Sequence, residues 1–182
     1  MVKKVVLSII LFLSASTSLV VNANDFQSDK NLIKRLPKEV KQVLYDYTFI
    51  KPSKASEFIE EHYEGKAYGL TVINTKEIAI DNYRYTGDYW LDNYRELTLY
   101  HEIGHAYDYI EGVGYRSKGS EFLNIFNEEK TNFKGDNTEY HTSNAHEYFA
   151  EAFSYYFYDD YTRELLKEAV PKTYEYFDNL FN

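Results

Sequence analysis

The sequence predicts a mainly helical α+β domain in which a small sheet lies against a long buried helix. Apolar residues on both sides of the motif His101-Glu102-Ile103-Gly104-His105 indicate a helix from about Asn93 to Ile110. A second helical segment begins near Asn144, and two short runs of strand-forming residues lie between positions 69 and 81. A chain of 182 residues is long enough for one domain with a substantial core.

The N-terminal part divides into an export signal and a helical segment. Residues 1–23 contain two early lysines, an apolar run and a small-residue cleavage site, which together predict a secretory signal peptide. An uncleaved membrane anchor is the alternative, but the apolar run is short for a spanning helix and serines follow it. Residues 24–64 carry apolar side chains at helical spacing, with Pro37 marking a helix start. We expect them to pack on the rest of a single domain, residues 24–182.

Charge and cysteine content restrict the partners of the chain. The formal net charge is −9, and it becomes more negative once the two lysines of the signal are removed. This charge argues against binding to nucleic acid and against stable association with anionic membranes. The chain has no cysteine, so no disulfide framework is possible.

The two predicted strands leave their role open. The segments Gly69–Ile73 and Glu77–Asp81, joined by Asn74-Thr75-Lys76, predict a hairpin. It is either a structural hairpin or an edge strand that holds an extended peptide beside the predicted long helix. The tyrosine-rich segment 81–93 that follows either lines a substrate cleft or packs in the core.

The motif at His101 has the residue types and spacing of zinc hydrolases. Histidines four residues apart lie one helical turn apart on one face, so both imidazoles can reach one metal ion. Glu102 is offset around the helix and can reach a metal-bound water. The alternative is an amphipathic helix that carries two histidines by chance. Gly104 costs about 1 kcal/mol relative to alanine, which is easier to understand if another backbone or a substrate approaches closely.

The second helix offers a third ligand. Asn144 is a natural N-cap, and Glu147 follows three residues later, as in a capping box. Glu147 and Glu151 share one face of an otherwise apolar, aromatic helix, where two carboxylates are costly to bury without a partner. A metal ion and its histidines would supply that partner. Otherwise Glu147 only caps the helix and Glu151 faces solvent.

The segments HEIGHAYDYIEG, NAHEYFAEAF and PKTYEYFDNLF occur in an order and at a spacing that resemble a known family. They are similar to the catalytic domain of anthrax lethal factor and to the secreted clostridial Pro-Pro endopeptidases, which share its zincin-like fold. The resemblance runs from about Leu70 to the C-terminus. It implies an edge strand beside the cleft and gives no role to His141 or His146.

The resemblance also implies roles for the site residues. Glu147 would be the third zinc ligand beside His101 and His105. Tyr140 would point at the scissile carbonyl, and Glu151 would be the partner of a ligand histidine.

The sequence therefore predicts a secreted zinc endopeptidase, expected to be a monomer that acts on protein or peptide substrates outside the cell. Zn²⁺ would keep one coordination position open for a water whose pKa falls towards about 7. Glu102 would take a proton from this water and pass it to the leaving amine. Tyr140 would donate a hydrogen bond to the oxyanion. Proline-containing segments of extracellular proteins are the expected substrates. The alternatives are a toxin-like protease acting on host proteins and a catalytically silent binding module that keeps the metal.

Overall fold

The computed structural model describes residues 27–81, 89–134 and 138–182. For residues 27–28 and 89–94 it describes the backbone alone. The predicted signal peptide and most of the tyrosine-rich segment 81–93 lie outside the described residues. The helices are α1 (Gln27–Arg35), α2 (Lys38–Leu44), α3 (Pro52–His62), α4 (Tyr89–Asp108), α5 (Ser120–Glu129), α6 (Thr138–His141), α7 (Ala145–Tyr158), α8 (Asp160–Ala169) and α9 (Pro171–Phe181). The strands are β1 (Thr48–Phe49), β2 (Gly69–Val72), β3 (Glu77–Ile80), β4 (Tyr109–Ile110) and β5 (Gly114–Tyr115).

The N-terminal helices cover one side of α4. Pro37 caps the start of α2, as the sequence predicts, because its ring fixes a backbone angle compatible with a helix start. The apolar positions predicted to pack inwards are buried at Leu32, Leu36 and Val40, and they join the same core cluster as the centre of α4. This arrangement supports one core for both parts of the described chain.

A three-stranded sheet in the order β1-β3-β2 lies beside α4. The predicted hairpin is confirmed: β2 and β3 are antiparallel, with Gly69 opposite Ile80 and Val72 opposite Glu77. Strand β1 pairs in parallel with β3 and was not predicted, because two residues are too few to show a strand pattern. In the described sheet β2 is an edge strand.

Helix α4 ends two residues earlier than the sequence predicts. Tyr109 and Ile110 pair with Tyr115 and Gly114 as a short antiparallel ribbon rather than as a last helical turn. Gly112 and Gly114 adopt φ angles of +76° and +113°, which favour glycine and allow the tight reversal between the strands. The two glycines therefore turn the chain beyond the end of the helix.

The main packing interface joins α4 to α7. A Cβ atom at Gly104 would lie 2.9 Å from the Cα atom and 3.0 Å from the carbonyl oxygen of Ala150. The expectation that another backbone approaches Gly104 is thus confirmed, and the neighbouring backbone is that of α7. Aromatic side chains of α7 and α9 fill the core beyond this contact, including Phe149, Phe153 and Phe177.

The mainly helical α+β fold is confirmed, with the small sheet beside α4 and a helical C-terminal part that contains α7, α8 and α9. Among the helices of the described ranges, none has the length and apolar character needed to cross a membrane.

Candidate active site

His101 and His105 project from the same face of α4, one turn apart. Each histidine is only 8% exposed, and the two rings meet edge to face with centroids 4.7 Å apart. Their neighbours Ile103 and Ala106 are fully buried in the core, which anchors this part of the helix. The packed helix therefore fixes the backbone positions of the two histidines, and their rings face α7.

Glu147 enters the same space from the first turn of α7. The side chain of Asn144 accepts hydrogen bonds from the backbone N–H groups of His146 and Glu147, each at 3.0 Å, so the predicted N-cap is present. The carboxylate of Glu147 approaches the histidines instead of completing a capping box. Its Oε2 atom lies 3.3 Å from His101 Nε2 and 3.4 Å from His105 Nε2.

These three side chains form a group that could hold a metal ion. Glu147 Oε2 is buried and, among the residues the structure describes, has no hydrogen-bond partner of good geometry. The two imidazole nitrogens and the carboxylate oxygen lie within 4.8 Å of one another. A buried polar oxygen that lacks a hydrogen bond is costly, and a cation between the three atoms would remove that cost.

The charges of the metal-free group are strongly coupled. Burial alone would lower the pKa of His101, but the carboxylates of Glu147 and Glu151 raise it to about 10. Burial lowers the pKa of His105, and the nearby Glu147 only partly opposes this effect. Burial would raise the pKa of Glu147, yet the two histidines hold it well below its ordinary value. The arrangement thus favours an ionised Glu147 next to imidazole nitrogens.

Glu151 lies one turn further along α7 and contacts the opposite nitrogen of His101. Its Oε2 atom is 2.9 Å from His101 Nδ1, and its Oε1 atom is 3.2 Å from the Nδ1 atom of His141. Burial would raise the pKa of Glu151, but its two histidine neighbours lower it to about 2. The ionised carboxylate favours a proton on His101 Nδ1, which leaves Nε2 free to bind a metal.

The family resemblance gave His141 no role. It is 8% exposed, lines the cleft and contacts Glu151, which also contacts His101. A second group of possible metal ligands consists of His101, His141 and Glu151. The 2.9 Å separation of His101 Nδ1 and Glu151 Oε2 is an ordinary hydrogen-bond distance, so we interpret Glu151 as a hydrogen-bonded support for His101.

Glu102 lies on the sheet side of α4, between the helix and β2. It is 6% exposed, and it lines the cleft together with Gly69. Thr71 of β2 donates to Glu102, with its Oγ1 atom 2.7 Å from Oε2 of the carboxylate and 2.9 Å from the backbone carbonyl oxygen. The contact with Thr71 was not predicted, because it depends on the register of β2 against α4.

Tyr140, in the short helix α6, lines the same cleft and is 44% exposed. Partial burial of its hydroxyl group, together with the nearby carboxylate of Glu147, raises the pKa of Tyr140 above its ordinary value. The hydroxyl therefore keeps its proton at neutral pH and can act as a hydrogen-bond donor.

The cleft beside these residues has a volume of about 180 Å³. It is lined by His101 and Glu102 and by residues 66–69, which lead into β2. Aromatic rings contribute much of the remaining lining, from Tyr63, Tyr68, Tyr140 and Tyr155. An edge strand, an acid, a candidate metal-ligand histidine and aromatic side chains thus meet in one depression.

His146, to which the sequence analysis gave no role, lies on the far side of His105. Its ring centroid is 4.2 Å from that of His105, and its Nδ1 atom is 2.7 Å from Oδ2 of Asp108. The Asp108 carboxylate is fully buried and also accepts hydrogen bonds from the N–H and hydroxyl groups of Ser117. This contact joins the end of α4 to α7 and to the turn after β5.

Comparison with known proteins places this site in a family. Residues 74–180 match the family model described as anthrax toxin lethal factor, N- and C-terminal domain, and this range covers more than half of the chain. The chain belongs to the anthrax toxin lethal factor family. The resemblance inferred from the sequence segments is therefore confirmed.

Two curated relatives of this lethal factor family chain are named Pro-Pro endopeptidase. One, from Paenibacillus alvei, is 45% identical over 82 residues, which cover 44% of this chain and 36% of the relative. The other, from Clostridioides difficile, is 38% identical over 80 residues, which cover 44% of this chain and 35% of the relative. The matched segment thus spans about a third of each relative.

A solved structure shows the same fold over most of the chain. The structure of the Pro-Pro endopeptidase from Paenibacillus alvei matches with a TM-score of 0.64 at 25% sequence identity. The match covers 88% of this chain and 92% of that structure. The zincin-like architecture of this lethal factor family member is therefore confirmed well beyond the matched sequence segments.

Proposed function

We propose that the protein is a secreted, zinc-dependent endopeptidase that cleaves proline-containing segments of extracellular proteins. The observation that carries this proposal is the convergence of His101 Nε2, His105 Nε2 and Glu147 Oε2 beside a cleft that contains Glu102. Membership of the lethal factor family and the two relatives named Pro-Pro endopeptidase support it.

The separations of the three candidate ligands fit Zn²⁺. Zinc binds imidazole nitrogen and carboxylate oxygen at about 2.0–2.2 Å in tetrahedral geometry, so neighbouring ligand atoms lie roughly 3.3–3.5 Å apart. Glu147 Oε2 lies 3.3 and 3.4 Å from the two histidine nitrogens. Three protein ligands are typical of catalytic zinc, whereas structural zinc has four. This difference favours an enzyme over a catalytically silent module.

Zinc held by these ligands would polarise the scissile carbonyl and lower the pKa of a water molecule in the cleft. Glu102 accepts the proton of the attacking water and later delivers it to the leaving amine. Tyr140 donates a hydrogen bond from its hydroxyl to the oxygen that becomes negative in the transition state, and keeps its proton. Glu151 keeps His101 in the tautomer and orientation that a metal ligand requires.

The substrate assignment rests on the cleft and on the relatives. Strand β2 has a free edge in the described sheet, and an extended peptide can pair with such an edge. A proline-rich segment is already extended, so it loses less conformational entropy when it binds. The tyrosine rings of the cleft offer flat apolar surfaces for proline rings, as in other grooves that bind proline-rich segments.

The test combines metal analysis with a peptide library. The purified protein should contain one zinc per chain and should cleave library peptides, with proline enriched on both sides of the cut. The Glu102→Gln variant, prepared in the same way, serves as the inactive control. Cleavage without any proline preference would contradict the proposed substrate class but support the proposed endopeptidase activity. A wild-type protein that binds zinc and cleaves no peptide would contradict the proposed activity.

A further inference from the structure

Strand β2 contacts Glu102 at two alternate positions. Gly69 and Thr71 lie two residues apart, so they share the face of the strand that is turned towards α4. Thr71 Oγ1 lies 2.7 Å from Oε2 of Glu102. A Cβ atom at Gly69 would lie 2.6 Å from Oε1 and 2.7 Å from Cγ of the same side chain. The strand therefore borders both oxygens of the Glu102 carboxylate.

The two contacts act differently on the carboxylate. Thr71 supplies a hydrogen bond to a carboxylate that is almost wholly buried, and such charge-assisted bonds are stronger than neutral ones. Gly69 supplies space, because any side chain there would occupy the volume that Glu102 now fills. Since Gly69 and Glu102 both line the cleft, the space at Gly69 lets the carboxylate lie at the cleft wall.

We propose that Thr71 is a positioning residue that holds the Glu102 carboxylate in its working orientation, and that Gly69 makes this orientation possible. The proposal rests on the endopeptidase function proposed above, in which Glu102 is the proton acceptor. A carboxylate that acts as a base must be held within hydrogen-bond distance of the proton that it accepts. The edge strand expected to bind the substrate would thus also orient the base.

A structural role for Thr71 is the competing explanation. Its hydroxyl also lies 2.9 Å from the backbone carbonyl oxygen of Glu102, and that bond would simply tie β2 to α4. A hydroxyl has one proton and can donate to only one of the two acceptors at a time. A purely structural bond would affect stability and not specifically the turnover number.

The test uses Thr71→Val, Thr71→Ser and Thr48→Val. Valine keeps the shape of threonine without the donor, and serine keeps the donor. Thr48 is an exposed threonine in β1 of the same sheet and serves as the matched control. We expect Thr71→Val to lower kcat by roughly ten- to a hundred-fold, the effect of losing a hydrogen bond to a charged group. KM, zinc content and zinc affinity should stay within two-fold of the wild type, Thr71→Ser should recover most of kcat, and Thr48→Val should have full activity.

Two outcomes would overturn the proposal. One is a Thr71→Val enzyme with unchanged kcat. The other is a loss of kcat that Thr71→Ser does not recover. If Thr71→Val folds poorly, Gly69→Ala decides the question, because its added methyl group would lie 2.6 Å from Oε1 of Glu102 and 2.8 Å from Cγ2 of Thr98, and the flexible Glu102 carboxylate is the group most easily displaced. A Gly69→Ala enzyme with wild-type kcat would then reject the positioning role.

A crystal structure of Thr71→Val separates this proposal from the proposed function. We expect the Glu102 carboxylate to leave its present position in that variant, whether or not a peptide substrate has been found. An unmoved carboxylate would reject the positioning role even in an active peptidase. Conversely, a wild-type protein that cleaves no peptide would reject the peptidase function, even if the carboxylate moves in the Thr71→Val variant.

Discussion

Glu102 and the histidines beside it have separable roles, although they are neighbours in sequence. Glu102 lies on the side of α4 that faces β2, whereas His101 and His105 face Glu147. We therefore expect Glu102→Gln to retain zinc and to lose nearly all turnover. Elemental analysis and a peptide cleavage assay measure the two effects. Glu60→Gln, an exposed glutamate of α3, is the matched control. Loss of zinc from Glu102→Gln would contradict this division of roles.

The two glutamates of α7 should differ in the same way. Glu147→Ala removes a proposed ligand and should abolish both zinc binding and activity. Glu151→Ala removes the partner of His101 Nδ1 and should weaken zinc binding by roughly 10–100-fold, the usual effect of such a change. Competition with a chelator of known affinity measures both variants. The reverse order of effects would show that the ligand lies one helical turn further along α7.

Tyr140→Phe tests the oxyanion donor. The change removes one hydroxyl from a residue that lines the cleft, so zinc content should be unchanged. We expect kcat to fall by roughly 10²–10³-fold, as for other donors to a developing oxyanion. Steady-state kinetics on a defined peptide measure the effect, and Tyr161→Phe, which changes an exposed tyrosine, is the control. Full activity in Tyr140→Phe would assign the donor to another group.

At the scale of residues, the sequence is sufficient to predict which site residues share one face of a single helix. His101 and His105 are an example, because helical geometry brings residues four apart onto one face. The contacts of Thr71 and His141 were not predictable, since they depend on how β2 and α6 pack against α4 and α7. No local pattern reports that packing, and nothing in the segment around Thr71 distinguishes it from any other strand threonine.

At the scale of elements, the close contact of α4 and α7 controls the distance between the histidines and Glu147. Alanine at position 104 would normally stabilise a helix by about 1 kcal/mol relative to glycine. Here its Cβ atom would lie 2.9 Å from the Ala150 backbone, so the helices must separate. We expect Gly104→Ala to be destabilising by about 1–3 kcal/mol, as in other overpacked cores, and to weaken zinc binding. Urea unfolding of the metal-free protein measures the first effect, and a stabilised variant would contradict the argument.

Some helices and strands could be predicted from the sequence, and others could not. The helices α4 and α7 and the β2–β3 hairpin follow from periodicity, capping residues and turn residues. The end of α4 could not be placed, because Tyr109 and Ile110 continue an apolar pattern but find a β partner in Gly114 and Tyr115. Strand β1 exists only because β3 lies beside it, and two residues carry no pattern of their own.

At the scale of the whole molecule, the proposed metal joins two helices of one core. Because its ligands come from both α4 and α7, removal of zinc should lower the melting temperature without unfolding the protein. The aromatic core of α7 and α9 does not contain the ligands and should preserve the helical circular dichroism signal. Thermal unfolding with and without a chelator tests this expectation. Complete unfolding on chelation would instead show that the metal is needed for folding.

Buried tyrosines should make the protein sensitive to alkaline conditions. Burial raises the pKa of Tyr100 from 10.0 to about 12, with Tyr156 and Tyr176 raised similarly. Below pH 10 the phenol is neutral in both states. Between about pH 10 and 12 the unfolded chain ionises first, so stability falls as pH rises. For Tyr100 the loss amounts to about 2–3 kcal/mol.

Urea unfolding at about pH 8 and about pH 11 measures roughly half of this loss, because the rest develops only above the pKa of the folded state. Tyr100→Phe removes the ionisable group and the hydroxyl that lies 3.3 Å from the carbonyl oxygen of Leu32. It should therefore be less stable than the wild type at the lower pH but lose less stability on going to the higher pH. The exposed Tyr161 supplies the control variant Tyr161→Phe, whose loss should equal that of the wild type. Equal losses in all three proteins would contradict the prediction.

The Glu151 carboxylate, shared by His101 and His141, has a consequence for redesigning the cleft of this protein. His141 adjoins Tyr140 in α6, so one carboxylate links the segment that we expect to face the peptide to a histidine that we propose as a metal ligand. Selectivity and metal retention are therefore not independent modules. A loop graft that replaces residues 138–143 to change which peptides are cut should also alter cofactor retention, unless the donor segment brings its own histidine at position 141.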